Sequence, residues 1–426
     1  MRSIAPALSS RQFALLWSGQ AVSQLGDGVF TIALAIEAID LTHSASGLAF
    51  ILVARSLPAV LLALIGGVVG DRLSRRVIML ASDVVRGLAV GAITVLVATH
   101  HAAEWQLVLL SVLFGLGDAF FQPASNAIVP EILDAEFLVS ASSLSMTTQQ
   151  FGASLAGPAL GGVVVAAIGI AGSFAFDAGS FAVSSFCLAL MAATPRRVEP
   201  NERMFEQIRK GLAYCRTQKW MWRSLGPVSI FNFAATGILG VLTPVLIRRV
   251  MHGSPLDLGL VFALGGLGGI LGALGVPRWG SRRRPVTLMA GVWGLAGFSL
   301  LGLGFSPNPW WVAVFVFGAF FGITAGNVVW FPLMQTLIEP DMLGRAFSVD
   351  SVLSFALTPL GFLAAGLAGG AWGDRLSIVV LGALAATVGL MVFVPGVREP
   401  ERDGLNLFER RHEDPEESPP GLATGQ

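Results

Sequence analysis

Asp27, Arg55, Asp83, Arg86 and Asp118 stand inside apolar runs that carry almost no other charge. An ionisable side chain in such a setting is costly, and it persists where it pairs with another charge, moves a proton or meets a ligand. A carboxylate in a water-poor cavity can take a proton from one side and release it to the other. Asp27 and Asp118 are the candidates for that work, with Arg55 placed to govern release if it reaches either one. The competing role for each carboxylate is a packing hydrogen bond to Gln20, Gln24 or Asn126. Asp27 is the expected proton carrier of the two. Asp83 and Arg86, three residues apart, meet on one helix face and are expected to form a structural bridge toward the polar loop that precedes them.

These residues need a scaffold that holds them in a membrane. The chain has 426 residues, 54% of them hydrophobic and only 13% charged, which is too little charge to cover a water-soluble core of that size. Apolar runs of about 20 residues, each long enough to cross a hydrocarbon core as a helix, recur along its length. Twelve are expected, at 12–40, 46–70, 76–99, 105–132, 139–168, 172–194, 224–250, 257–278, 285–306, 308–337, 346–370 and 376–396. The fold class is therefore an all-α membrane protein.

With the N-terminus inside, 22 of the 27 Lys and Arg residues fall in inner segments and three, Arg248, Arg249 and Arg375, in outer ones. That asymmetry places both termini in the cytoplasm and the chain in the plasma (inner) membrane. Trp105, Trp310, Trp311 and Trp372 then lie at the outer interface. Residues 1–194 and 224–397 each form a six-helix bundle, joined by a cytoplasmic linker at 195–223. In that linker Met204, Phe205, Ile208 and Leu212 share one helix face, as in a helix lying on the inner leaflet. The charged, Pro-rich tail 398–426 is expected to be disordered.

Other chemistry is excluded by what is missing. Neither Lys210 nor Lys219 follows a Gly, so there is no phosphate-binding loop and ATP is not the direct motor. An ion gradient remains: one charge crossing 100 mV yields about 2.3 kcal/mol, a gradient of roughly 50-fold. The five His and two Cys residues form no metal or catalytic set, so no enzyme activity, cofactor, metal or nucleic-acid partner is expected. The expected partners are protons, the lipid bilayer and a small-molecule substrate, handled by a monomer.

"GGVVGDRLSRR", Gly66 to Arg76, is the polar loop between the second and third runs. It has a weak echo 206 residues later in "GALGVPRWGSRRR", and "PEIL" at Pro130 is echoed by "PDML" at Pro340. Two related six-span halves with a site between them near the midplane are a recognised transporter plan. The loop resembles the signature loop of the major facilitator superfamily, matching it at Gly67, Gly70, Asp71, Arg72, Arg75 and Arg76, with Ser74 where Gly is usual. "QLGDGVFTIAL", "DVVRG", "FFQPASNAIVPEIL", "GPALGG", "FDAGSF" and "QTLIEPDMLGRAFSVDSVLSFALTPLGFLAAG" resemble the macrolide-efflux and enterobactin-exporter branch of that superfamily. The resemblance implies that Asp71 faces the helix start at Leu343–Phe347, with Gly344 and Arg345, and that loop and helix, with Asp83 and Arg86 as a bridge, form a cytoplasmic latch. A plain topology anchor would also use the Arg residues.

The resemblance and the sparse midplane charge together lead to proton-coupled efflux of a hydrophobic or amphipathic small molecule by alternating access. The cavity is expected between spans 1, 4, 7 and 10, with Gln24, Phe120, Phe121, Gln122, Asn126, Asn232, Asn327 and Trp330 as wall residues. Two readings compete: a proton-coupled importer of a polar metabolite, and a lipid-moving or receptor-like membrane protein.

Overall fold

A computed structural model describes residues 6–63, 74–192, 204–279 and 284–402 of the chain. These residues are almost wholly helical, and no β-strand occurs among them. The first set of helices is α1 (Arg11–Thr42), α2 (Ala45–Ala63), α3 (Arg75–Ala98), α4 (Glu104–Ile132), α5 (Leu138–Phe151) and α6 (Gly157–Leu190). A connecting helix, α7 (Met204–Thr217), leads to α8 (Lys219–Gly237), which runs on through π turns and the short α9 (Thr243–Val245) to Val250. Then follow α10 (Pro255–Trp279), α11 (Pro285–Leu303), α12 (Pro309–Leu337), α13 (Pro340–Phe355), α14 (Thr358–Trp372), α15 (Asp374–Ala386) and the single turn α16 (Glu399–Arg402). Eleven helical stretches among the described residues are long and apolar enough to cross a membrane.

Local chemistry sets where these helices begin and turn. Ser10 and Ser74 cap α1 and α3 by accepting from the amides of Phe13 and Val77, and Asn308 caps α12 ahead of Pro309. Three of the turns between helices are made by His43, His100 and His252, each left-handed with φ near +50° to +57°, a conformation His tolerates better than most side chains. Two more use Gly169 (φ 74°) and Gly373 (φ 83°). Gly169 breaks α6 into two arms, at the place where the sequence implied a break between residues 168 and 172. A π turn, Gly152–Ala156, joins α5 to the first arm.

The two sets meet at one end of the molecule. Asp40 and Arg248, at the ends of α1 and of the α8–α9 run, form an ion pair of 3.1 Å, so these helices run in the same direction. The face where they end is the far face; the face that holds Arg11 and Arg402 is the terminal face. Toward the far face, small residues allow close approach between the sets. A Cβ added at Gly162 on α6 would lie 2.9 Å from the Cα of Gly259 on α10, and one at Gly366 on α14 would lie 2.4 Å from the Cβ of Ala49 on α2.

On the terminal face, Arg75 and Arg76 make their contacts within the first set. Arg76 donates to the carbonyls of Leu188 and Ala189 at 2.7 and 2.6 Å, while Arg75 pairs with Glu131 at 3.0 Å. Gly67, Gly70, Asp71 and Arg72 of the expected latch lie outside the described residues.

Three expectations need correction. The span after the linker begins at Lys219 and not near 224, with Lys219 beside Glu399 at 4.0 Å. The tail does not become irregular at 398: Glu401 accepts from the Thr287 amide and hydroxyl at 2.6 and 2.8 Å, which anchors α16 to α11. Residues 403–426 lie outside the described residues. Nor is α7 free on a leaflet. Gly211 packs against Arg345 of α13, and the Glu339 amide donates to the Tyr214 hydroxyl at 3.2 Å.

That docking buries Cys215 completely, and burial, aided by the charge of Asp350, pushes its thiol up to about 11. Only the thiolate reacts with alkylating agents. Cys215 is therefore expected to resist iodoacetamide at pH 8, reacting roughly a hundredfold slower than an exposed thiol, and to become reactive only as pH rises toward 11. Labelling followed by mass spectrometry checks this, and rapid reaction at pH 8 would mean that α7 leaves α13.

Candidate functional site

Between the two helix sets lies a cavity of about 630 Å³. From the first set it takes Thr31, Ile32 and Ala35 of α1, Leu52, Arg55, Ser56 and Ala59 of α2, Asp118 of α4 and Pro158 of α6. From the second it takes Asn232, Thr236 and Leu239 of the α8 run, Phe262 of α10, Phe320 of α12 and Phe362 of α14, among others. Most of this wall is apolar, and Arg55 and Asp118 are its only charged groups among the described residues. Apolar walls with a few convergent polar groups are the usual form of a small-molecule site.

The charges extend behind that wall. Arg86 donates to Asp118 Oδ1 at 2.8 Å and also bonds Asp83, whose other oxygen accepts from the Ser184 hydroxyl at 2.6 Å. On the cavity side, Arg55 lies 4.0 Å from Asp118 Oδ2 and 3.5 Å from the Thr31 hydroxyl, which itself donates to the Asp27 carbonyl at 2.8 Å. Aromatic faces complete the shell of both cations. Arg86 sits 4.3 Å from the ring centre of Phe121 and 4.6 Å from that of Phe181; Arg55 sits 4.6 Å from Phe114 and 5.2 Å from Phe30. The rings are themselves packed, Phe30 stacked on Phe114 at 4.9 Å and Phe114 edge-on to Phe181 at 5.8 Å. Helices α1, α2, α3, α4 and α6 are thus tied by one ionic and aromatic cluster. Asp27 lies within its electrostatic reach, yet its Oδ1 is buried without a hydrogen-bond partner.

A second chamber, about 580 Å³, is enclosed by α1, α4 and α5. Its wall carries Gln20, Gln24, Gln122, Asn126 and Gln149 with several hydroxyls and, among the described residues, no charge. Gln20 donates to Ser125, and Trp17 donates to Thr148 at 2.9 Å. Phe121 lines this chamber and carries Arg86 on its face, while Asp118 lines the central cavity, so the Arg86–Asp118 pair stands between the two spaces.

The expected wall residues are therefore divided. Gln24, Phe121, Gln122 and Asn126 line the amide-rich chamber, and Asn232 lines the central one while donating to the Ser354 carbonyl at 3.1 Å. Phe120 and Asn327 line neither of these two chambers. Trp330 is a core residue, 3% exposed and packed between Trp220 at 5.6 Å and Trp293 at 6.0 Å. Asp83 and Arg86 form the expected pair on one helix, and through Arg86 they also share one network with Asp118. Thr31, Ser56, Phe262, Phe320 and Phe362 were not anticipated. Each sits in an apolar helical run where a cavity wall, a helix contact and a lipid contact look alike in sequence.

Comparison with known proteins agrees with this architecture. The family model described as transmembrane secretion effector matches residues 2–416. The multidrug efflux pump Tap of Mycolicibacterium fortuitum is 28% identical over 405 residues, covering 91% of this chain and 95% of Tap. Macrolide efflux protein A of Streptococcus pyogenes is 23% identical over 375 residues, covering 86% and 90% of the two chains. Among solved structures, the nucleoside transporter NupG superposes with a TM-score of 0.69 at 12% identity, over 89% of this chain and 98% of that one.

Removing one partner from a buried ion pair leaves an uncompensated charge and costs about 3–5 kcal/mol. Arg86→Gln is therefore expected to lower the thermal unfolding midpoint of detergent-purified protein markedly, and Asp83→Asn combined with it to restore part of the loss. Tryptophan fluorescence melts check both; an unchanged midpoint in Arg86→Gln would show that the cluster does not hold the helices together.

Proposed function

The chain belongs to the transmembrane secretion effector family, a group of major facilitator transporters, and from that membership we propose that it exports a hydrophobic or amphipathic small molecule in exchange for protons. The observation that carries this reading is the central cavity, built from both helix sets, apolar over most of its wall and charged only at Arg55 and Asp118. Tap, a multidrug efflux pump, and macrolide efflux protein A supply the direction and a first substrate class.

In this reading Gly169 divides α6 into two spans, which makes twelve spans in two six-helix bundles. Both termini lie in the cytoplasm and the terminal face is the inner one, supported by the bias of Arg and Lys toward that face. The protein works as a monomer, each chain enclosing its own cavity. The far-face contacts at Asp40–Arg248, Gly162–Gly259 and Gly366–Ala49 then close the outer mouth, which supports a state accessible from the cytoplasm. Alternating access needs these contacts to part and the loop with Gly67, Gly70, Asp71 and Arg72 to close against the helix start at Gly344 and Arg345. Asp27 is the proton carrier. When it is charged, its field acts on Arg55 and Arg86, whose hold on Asp118 shapes the cavity wall.

Tritiated erythromycin, a macrolide, is the first substrate to test in inside-out vesicles that build an acid interior. Accumulation that nigericin abolishes is expected, reduced at least tenfold in Asp27→Asn and no longer dependent on pH. Accumulation by intact energised cells instead would overturn export. The Asp40–Arg248 pair is partly exposed, and such pairs contribute up to about 1 kcal/mol. Asp40→Asn is thus expected to raise labelling of Ala35→Cys by an impermeant maleimide from outside the cell by at most about fivefold.

A further inference from the structure

The charge network holds four carboxylates, Asp27, Asp83, Asp118 and Asp177, and two guanidinium groups, Arg55 and Arg86. Arg86 bonds Asp83 and Asp118, and Arg55 approaches Asp118. Asp27 and Asp177 have no cation within ion-pair distance among the described residues. Asp177 on α6 is fully buried, and its Oδ2 has no hydrogen-bond partner, as Asp27 Oδ1 has none. Asp177 packs on the backbone of Gly26, the residue next to Asp27 in α1, where an added Cβ would clash with its Oδ1, and that same oxygen accepts from the Ser180 hydroxyl at 3.1 Å. The other charged groups within electrostatic reach of Asp177 are Arg55 of α2 and Arg86 of α3, and Asp83 of α3 bonds Ser184 on the same helix as Asp177. Glu37, further along α1, faces Asp40 and His100 instead.

Two guanidinium groups balance two carboxylates. Of the remaining two, Asp177 is fully buried and Asp27 half-buried, each with one buried oxygen that has no hydrogen-bond partner, and an ionised carboxylate at Asp177 has no adjacent cation to offset its desolvation. The cluster is electroneutral when both are carboxylic acids.

We propose that Asp177 is a second proton site, loaded together with Asp27, so that two protons move for each substrate exported. This rests on the proton-coupled reading above. In each step a carboxylate oxygen takes up a proton at one face of the membrane and gives it back at the other, with no other bond made or broken. The Ser180 hydroxyl positions Asp177 and keeps one oxygen engaged while the other carries the proton.

The test is the ratio of protons to substrate in proteoliposomes of the full chain, read with entrapped pyranine and tritiated erythromycin under a potassium–valinomycin clamp. The expected ratio is two for wild type, one for Asp177→Asn, and two again for Asp177→Glu. A wild-type ratio of one, or a ratio left unchanged by Asp177→Asn in protein that melts like wild type, would overturn the second site and leave proton coupling standing. Erythromycin movement with no proton movement would overturn both. The wild-type ratio decides the matter even where the Asn variant does not fold.

Discussion

Arg86 is 2% exposed in the middle of an apolar helix set, and much of the first half of the molecule is arranged around the cost of having it there. A guanidinium group in hydrocarbon is tolerable only when its charge and its donors are met. Asp83 comes from its own helix, Asp118 from α4, the aromatic faces of Phe121 and Phe181 from α4 and α6, and Ser184 of α6 secures Asp83 in turn. Each of these partners fixes a helix. Arg55 is treated in the same way between Phe30 and Phe114, but one side of it is left open to the cavity. The contrast sets the roles apart: Arg86 holds the set together, and Arg55 presents the same network to whatever occupies the central space.

The second helix set solves its packing differently. Its core is assembled from Trp220, Trp293 and Trp330 with small residues at the helix crossings, and one of its two buried carboxylates among the described residues, Asp350, is met by hydroxyl and indole donors. The two halves therefore share a plan of helices without sharing an electrostatic design. A cavity between an ionic half and an aromatic half offers an amphipathic molecule a different surface on each side.

The helices were legible because membrane spans declare themselves by length and apolarity, and the left-handed break at Gly169 was visible as a pause between two runs. The cavity wall was only partly legible. In a soluble helix the apolar stripe marks the inward face, but here lipid and core are both apolar, so nothing in the sequence separated Phe320, which lines the cavity, from Trp330, which is core. Asp83 and Arg86 were recognised as a pair because they are three residues apart. The link from Arg86 to Asp118 spans 32 residues and exists only after α3 and α4 have packed. The amide-rich chamber shows the same limit: its residues were visible one by one, while the wall that separates them from the central cavity is a product of the fold.

The far-face seam between the two sets has a kinetic meaning. Where Gly162 meets Gly259 and Gly366 meets Ala49, backbone meets backbone or a single methyl group. Contacts of that kind part without a rotamer having to change, whereas the Asp40–Arg248 pair beside them has to break. Dispersion across a close contact falls off steeply with distance, so a gap of about 0.5–1 Å already forfeits about a quarter to a half of the attraction. The seam is therefore a brittle joint, firmest at contact and weakening fast over the first ångström of separation.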